Sequence, residues 1–168
     1  RVAGNTATLV GADWEACSAN IGNPGHAVGA FGGAADVRCS GLNLANRSFS
    51  VELWARRERS GLVEIFAYQG NDGTNTALHV GFRDSNVFMF AFYAHDLDTA
   101  ATYTDTEWHH WACTYDAATK QQRIYRDGEV VATRTALAHF QGTGVLTSGR
   151  RTDSGSAFKG QLAEVRVW

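Results

Sequence analysis

The sequence of 168 residues predicts an all-β fold, an antiparallel sandwich or barrel. Apolar and polar residues alternate along most of the chain, and this period of two is that of a strand with one buried face. Turn residues separate the alternating segments at intervals of roughly 8–12 residues, the spacing of short strands in sandwiches and barrels. No long stretch has the repeat of about 3.6 residues that marks an amphipathic helix.

The strands can be followed in order from Phe49 onwards, after a Gly-rich first quarter without a clear pattern. Phe49, Val51 and Leu53 alternate with polar neighbours. The almost wholly apolar segment 87–93 predicts a strand covered on both faces, and Asp127-Gly128 predicts a two-residue hairpin turn. About nine to eleven strands are expected in all, and the clearest cover residues 49–55, 63–69, 77–83, 87–93, 108–115, 123–126, 129–135, 144–149 and 160–168.

Charge and hydropathy exclude some partners. Lys and Arg total 15 and Asp and Glu total 17, a net charge of −2 that argues against nucleic acid as a partner. No apolar run approaches the roughly 20 residues of a membrane span, so no membrane insertion is expected. The chain begins at Arg1 without Met or a signal peptide, which indicates a processed protein or one module of a longer parent chain. Residues 1–168 are expected to form a single domain.

Three cysteines allow at most one internal disulfide. Cys17 and Cys39 lie in the irregular first quarter, where a covalent link would stabilise most, so a Cys17–Cys39 bridge is predicted. Cys113 lies in an aromatic strand and is expected to be a buried thiol. A disulfide implies an oxidising compartment, so the protein is expected outside the cell or on its surface.

No motif for catalysis is found. The sequence has no G-x-S-x-G elbow, no phosphate-binding loop, no paired cysteines and no H-E-x-x-H helix. A glycosidase needs two carboxyl groups facing one cleft. Glu52 and Glu64 each stand without a second acid on the same strand face, and Asp96 and Asp98 lie in an expected loop. We therefore predict that the protein is not an enzyme.

Two adjacent histidines, His109 and His110, resemble metal ligands at first sight. Neighbouring residues on a strand point to opposite faces, so the two cannot reach one ion. We expect one packed and one exposed imidazole.

Sugar binding requires an aromatic platform and planar polar groups. Trp54 falls on the polar side of its strand, His79 and Arg83 share the polar face of theirs, and Tyr93 precedes His95 at a strand end. These five residues are the candidates for carbohydrate binding. The alternative is that large aromatic residues such as Trp54 belong to the core.

A short turn after Arg83 should pair segments 77–83 and 87–93 antiparallel and bring His79 close to Tyr93 at a rim of the sheet. Asp96 and Asp98 would reach the same rim. Their hard oxygen donors make calcium a candidate cofactor. The alternative is that they cap a turn through their own backbone.

Four motifs in order resemble those of the laminin-G-like, concanavalin-A-like lectin and glucanase family. Segment 48–54 reads SFSVELW, 108–116 reads WHHWACTYD, 124–128 reads IYRDG, and 158–168 reads FKGQLAEVRVW. The resemblance runs from about residue 29 to the last residue, and residues 1–28 match poorly.

The resemblance implies a jelly roll, in which two curved antiparallel sheets pack as a β-sandwich with function on the concave face or on the rim loops. Most members are non-catalytic modules of secreted or surface proteins that bind glycans or proteins, so a glycan or glycoprotein is the expected partner here. Ala163 stands where many members place an aspartate ligand of calcium. We expect a carbohydrate-binding or adhesion module of an extracellular multidomain protein. The alternative is a protein-interaction or assembly module that binds no sugar.

Overall fold

The computed structural model describes residues 6–10, 13–16, 27–32, 36–152 and 156–168, and this part of the chain contains fourteen strands and no helix. No membrane-spanning helix therefore occurs among the described residues. The strands are β1 (Thr6–Val10), β2 (Asp13–Ala16), β3 (Ala27–Gly32), β4 (Asp36–Ser40), β5 (Phe49–Arg57), β6 (Glu64–Gly70), β7 (Ala77–Phe82), β8 (Val87–Ala91), β9 (Leu97–Thr102), β10 (His109–Asp116), β11 (Gln121–Arg126), β12 (Glu129–Thr135), β13 (Leu146–Ser148) and β14 (Lys159–Val167).

Two seven-stranded antiparallel sheets form the predicted sandwich. The first has the order β1-β4-β13-β6-β7-β8-β9, and the second has the order β12-β11-β10-β5-β14-β3-β2. Alternation predicts the burial of β5, where Phe49, Val51 and Leu53 face the core and the residues between them face outward.

All nine of the predicted segments contain a strand, but other strands were missed. The first quarter contributes β1 to β4, although its glycines and polar residues show no alternation. The expectation that Asp98 lies in a loop is wrong, because it belongs to β9. This strand buries only Leu97 and Thr99 on its inner face, and two such residues are too few to give a clear pattern.

The core between the sheets is largely aromatic. The rings of Phe88 and Trp111 from opposite sheets stack with centroids 4.0 Å apart and an interplanar angle of 2°. Cys113 is fully buried, as predicted, and burial raises the pKa of its thiol. The predicted Cys17–Cys39 bridge stays a prediction, because Cys17 lies outside the described residues.

A buried ion pair crosses between the sheets at one end of the core. Nε of Arg57 on β5 donates to Oε2 of Glu64 on β6 at 2.7 Å, with side chains 4% and 0% exposed. The guanidinium lies over the ring of Phe82 at 3.9 Å from its centroid. Arg57 also donates to the carbonyl oxygen of Tyr103 at 2.8 Å and to the side-chain oxygen of Asn86 at 3.3 Å.

Removing either partner should be costly, because the other would stay buried as a charge without its hydrogen-bonded counter-charge. We expect Arg57→Met to lower the free energy of unfolding by about 3–5 kcal/mol in urea titration. The matched control is Arg59→Met: Arg59 lies 3.6 Å from the same Glu64, but its side chain is 42% exposed. A pair so exposed contributes at most about 1 kcal/mol. Equal losses in the two variants would contradict the assigned role of Arg57.

Candidate functional site

A groove runs along the outer face of the first sheet, on the side away from the core. Its volume is about 260 Å³. Met89 on its floor belongs to a small second cluster of buried side chains beneath this face. We call it the outer groove, and its lining residues are Val63, His79, Arg83, Met89, Ala91, Tyr93, Ala94, Asp96 and Arg151.

The pairing of β7 with β8 brings His79 and Tyr93 together. His79 lies opposite Ala91 in the antiparallel register, two residues before Tyr93. The His79 and Tyr93 ring centroids are 6.1 Å apart, and the ring of Tyr68 contacts His79 from the other side at 5.0 Å. His79 is 7% exposed and Tyr93 is 42% exposed, so the imidazole lies on the floor of the groove and the phenol forms part of its wall. The proximity expected from the short turn is therefore present, on a sheet face close to the strand ends.

Gly81 lies between His79 and Arg83 on the same outward row. A Cβ atom there would come within 2.0 Å of the carbonyl oxygen of Glu64. Glycine therefore permits the close approach of β6 and β7 beneath the groove.

The backbone that carries Tyr93 has an unusual conformation. Tyr93 and Ala94 both have positive φ, 61° and 101°, and so does Asn75 at 63°. The Asn75 amide donates to the carbonyl oxygen of Tyr93 at 3.1 Å, and the Gln141 amide donates to the carbonyl oxygen of Asn75 at 2.7 Å. Such backbone persists only where surrounding contacts hold it, and it is concentrated at functional sites.

His95 contacts Asn75, the residue that also bonds the backbone of Tyr93. Its Nδ1 contacts Oδ1 of Asn75. It is not among the groove-lining residues. Its position supports the turn after Tyr93 and not the groove surface.

Ion pairs flank the groove on both sides. On one side Nη2 of Arg83 donates to Oδ2 of Asp96 at 3.0 Å, and its Nε donates to Oδ2 of Asp98 at 2.8 Å. On the other side Nη2 of Arg151 donates to Oδ2 of Asp72 at 2.6 Å. Each guanidinium therefore has a carboxylate partner.

This geometry weighs against the calcium role predicted for Asp96 and Asp98, because Arg83 takes the position of a cation between them. Among the described residues, no group of three or more His, Cys, Asp or Glu side chains is arranged to hold a metal ion. Ala163, on β14 of the second sheet, is buried and brings no donor. Calcium binding remains a prediction that this donor set does not support.

Trp54 lies away from the groove, on the outer face of the second sheet. It is opposite His110 in the pairing of β5 with β10, and their ring centroids are 5.4 Å apart. Alternation along the strand correctly predicted that Trp54 points outward, but it could not show to which sheet the strand belongs. A sugar-binding role for Trp54 would require a second site.

The two adjacent histidines do point to opposite faces. His110 lies beside Trp54, and His109 bonds Asp127 and Asp105 at 2.7 Å through its two ring nitrogens. The expectation of one packed and one exposed ring is wrong, because the side chains are 22% and 26% exposed. Both rings are held by carboxylates at the surface.

The sequence interpretation missed Arg151 as a groove residue and Asp72 as its ion-pair partner. Arg151 follows β13 and is 79 positions from Asp72. The two meet only because β13 inserts between β4 and β6 in the first sheet. No local pattern carries that information.

Comparison with known proteins shows that the chain matches a protein family. The family described as the concanavalin A-like lectin/glucanases superfamily matches residues 31–168. No curated protein sequence matches the chain.

Several solved structures share the fold at low identity. Domain 4 of an extracellular GH43 arabinanase from Geobacillus stearothermophilus, in complex with arabinotriose, is 18% identical with a TM-score of 0.71 over 96% of this chain and 81% of that chain. The CBM40 of the Ruminococcus gnavus IT-sialidase, bound to α2,3 sialyllactose, is 17% identical with a TM-score of 0.59, over 74% and 76%. A SAP-like pentraxin from Limulus polyphemus is 12% identical with a TM-score of 0.63, over 84% and 74%. At these identities the likeness concerns the fold.

The strain at Ala94 can be tested directly. Glycine adopts positive φ at little cost, so we expect Ala94→Gly to raise the free energy of unfolding by about 1 kcal/mol. The matched control is Ala101→Gly in β9, an exposed position without positive φ. This change should lower stability by about 0.5–1 kcal/mol. Destabilisation of similar size in both variants would show that Ala94 is not strained.

The buried imidazole predicts a pH dependence of stability. Burial, followed by the charge of Arg151, lowers the pKa of His79 from its ordinary value of 6.5. As pH falls through 6.5, His79 therefore takes up a proton more readily in the unfolded chain than in the folded one. Below that pH, His79 progressively lowers the free energy of unfolding. We expect the stability difference between the wild type and His79→Gln to shrink between pH 7.5 and pH 5. Parallel pH curves for the two proteins would contradict this assignment.

Proposed function

The chain belongs to the concanavalin A-like lectin/glucanases superfamily, and on this basis we propose that it is a non-catalytic carbohydrate-binding module whose ligand lies in the outer groove. The observation that carries the proposal is the partly exposed phenol of Tyr93, held beside His79 by strained backbone and flanked by two ion pairs. An aromatic ring next to fixed planar polar groups is the arrangement that binds a sugar ring and its hydroxyls.

The fold comparison supports the same class of ligand. The arabinanase domain and the CBM40 were solved with arabinotriose and sialyllactose, respectively. A module of this kind acts as part of a larger secreted or surface protein, so we place this chain outside the cell, joined to other domains.

The absence of catalysis is part of the proposal. Glycoside hydrolysis needs one carboxyl group that can donate a proton and a second carboxylate facing the same bond. Asp96 and Asp98 both accept hydrogen bonds from Arg83, an arrangement suited to holding hydroxyl groups. Glu64 is buried against Arg57, and Glu52 lies on the second sheet.

A protein-interaction module remains the alternative function. Such a module would present a broad apolar patch. The exposed large apolar side chains among the described residues are instead spread over loops and over β12 and β14 of the second sheet, among them Val63, Val130, Leu137 and Val165. The polar, concave outer groove favours a sugar.

The proposal is tested by removing the platform. We expect Tyr93→Ala to weaken glycan binding at least tenfold, about 1.4 kcal/mol, in calorimetric titration with the oligosaccharides that a glycan array selects, without shortening of the oligosaccharide. The matched control is Tyr125→Ala, a half-buried tyrosine on β11 of the second sheet, which should bind as the wild type does. Equal affinity of Tyr93→Ala and wild type would overturn the site, and release of reducing ends would overturn the non-catalytic role.

A further inference from the structure

The charges that line the outer groove are already matched within the protein. The two lining guanidiniums belong to Arg83 and Arg151, and both are bound by aspartates, Asp96 and Asp98 on one side and Asp72 on the other. Among the described residues, two positive charges thus face three negative ones. An anionic ligand would have to displace a carboxylate that is already in place.

The geometry leaves little donor surface for a second carboxylate. A free carboxylate binds arginine best through two parallel N–H groups. Arg83 uses both Nε and Nη2 on its own aspartates. Arg134 also reaches Asp96, but it donates to the carbonyl oxygen and does not line the groove.

The histidine that lines the groove brings no positive charge at neutral pH. His79 forms part of the floor, and its burial lowers the pKa of the imidazole. It therefore offers a neutral ring that donates or accepts a hydrogen bond.

A neutral sugar matches this set of groups. Each hydroxyl both donates and accepts, so it can bond to the outer edge of a carboxylate or a guanidinium without adding charge. The apolar side chains of Met89, Ala91 and Ala94 complete the surface on which a sugar ring can lie.

We infer that the outer groove selects uncharged sugars and discriminates against sugars that carry a carboxylate. The inference rests on the proposed function, since it names the ligand class of the same site. A groove built for an acidic sugar would differ from this one, because at least one arginine would face the ligand without a partner inside the protein.

The test uses pairs of probes that differ in charge alone or in one acidic unit. Lactose is compared with α2,3-sialyllactose, and methyl-esterified oligogalacturonides are compared with their free acids, within a glycan array followed by calorimetry. We expect the ligands whose binding depends on Tyr93 to be neutral, with each acidic counterpart bound at least tenfold more weakly.

A variant tests the cause of this selectivity. Asp72→Asn keeps the shape of the side chain but leaves Arg151 without its aspartate charge, so the preference for the neutral partner should fall by roughly threefold or more, the effect of about one nearby charge at a solvated site. The matched control, Asp116→Asn at the end of β10 in the second sheet, should leave the preference unchanged.

The outcomes separate this inference from the proposed function. Acidic ligands that bind as well as their neutral partners and are lost in Tyr93→Ala would overturn the selectivity while keeping the site. An unchanged preference in Asp72→Asn would overturn its electrostatic cause. An array on which no ligand, neutral or acidic, depends on Tyr93 would overturn the proposed function and the inference with it.

Discussion

The buried contact between Arg57 and Glu64 connects parts of the molecule that no backbone ladder connects. It links β5 of the second sheet to β6 of the first. An ion pair this deep contributes little net stability but is costly to break, so it favours one arrangement of the sheets over others. The same guanidinium bonds Asn86, whose side-chain oxygen also accepts from the Gly61 amide at 2.7 Å. The turn between β7 and β8 is thereby fixed from inside the core.

That turn sets the geometry of the outer groove. The Asn86 amide donates to the carbonyl oxygen of Arg83, and the Arg83 amide donates to that of Val87. With the turn fixed, the register of the hairpin places His79 opposite Ala91, and the chain leaves β8 only two residues before Tyr93. Regular strand structure ends there. Tyr93 points outward as Met89 and Ala91 do, Phe92 just before it stays fully buried, and positive φ at Tyr93 and Ala94 redirects the chain that follows. Side chains that belong to one rigid hairpin need little reorganisation to meet a ligand, which reduces the entropy lost on binding.

The sequence predicted those features that depend on local pattern. Alternation revealed the strands from Phe49 onwards, and the short turn after Arg83 was enough to bring His79 near Tyr93. What it could not supply was the assignment of strands to sheets. Trp54 and His79 both lie on the polar side of their strands, yet their strands belong to opposite sheets. The pairing of Asp72 with Arg151 depends on the insertion of β13 beside β6, which is a matter of long-range topology. The weak pattern of β9 concealed that Asp98 is a strand residue held against Arg83.

The role of the acidic residues follows from their partners more than from their spacing. Two aspartates two positions apart at a groove could, in another setting, serve as a catalytic pair or as ligands for a cation. Here Arg83 supplies a permanent positive charge to both at hydrogen-bond distance. Arginine stays protonated at all ordinary pH values, so the counter-charge beside the two carboxylates is permanent. Asp98, whose side chain is 38% exposed, keeps acceptor capacity because an ionised carboxylate has about four lone-pair sites, whereas Oδ1 of Asp96 is buried. Under the proposed function, the arginine that pairs with both acids leaves Asp98 as the acceptor for a sugar hydroxyl.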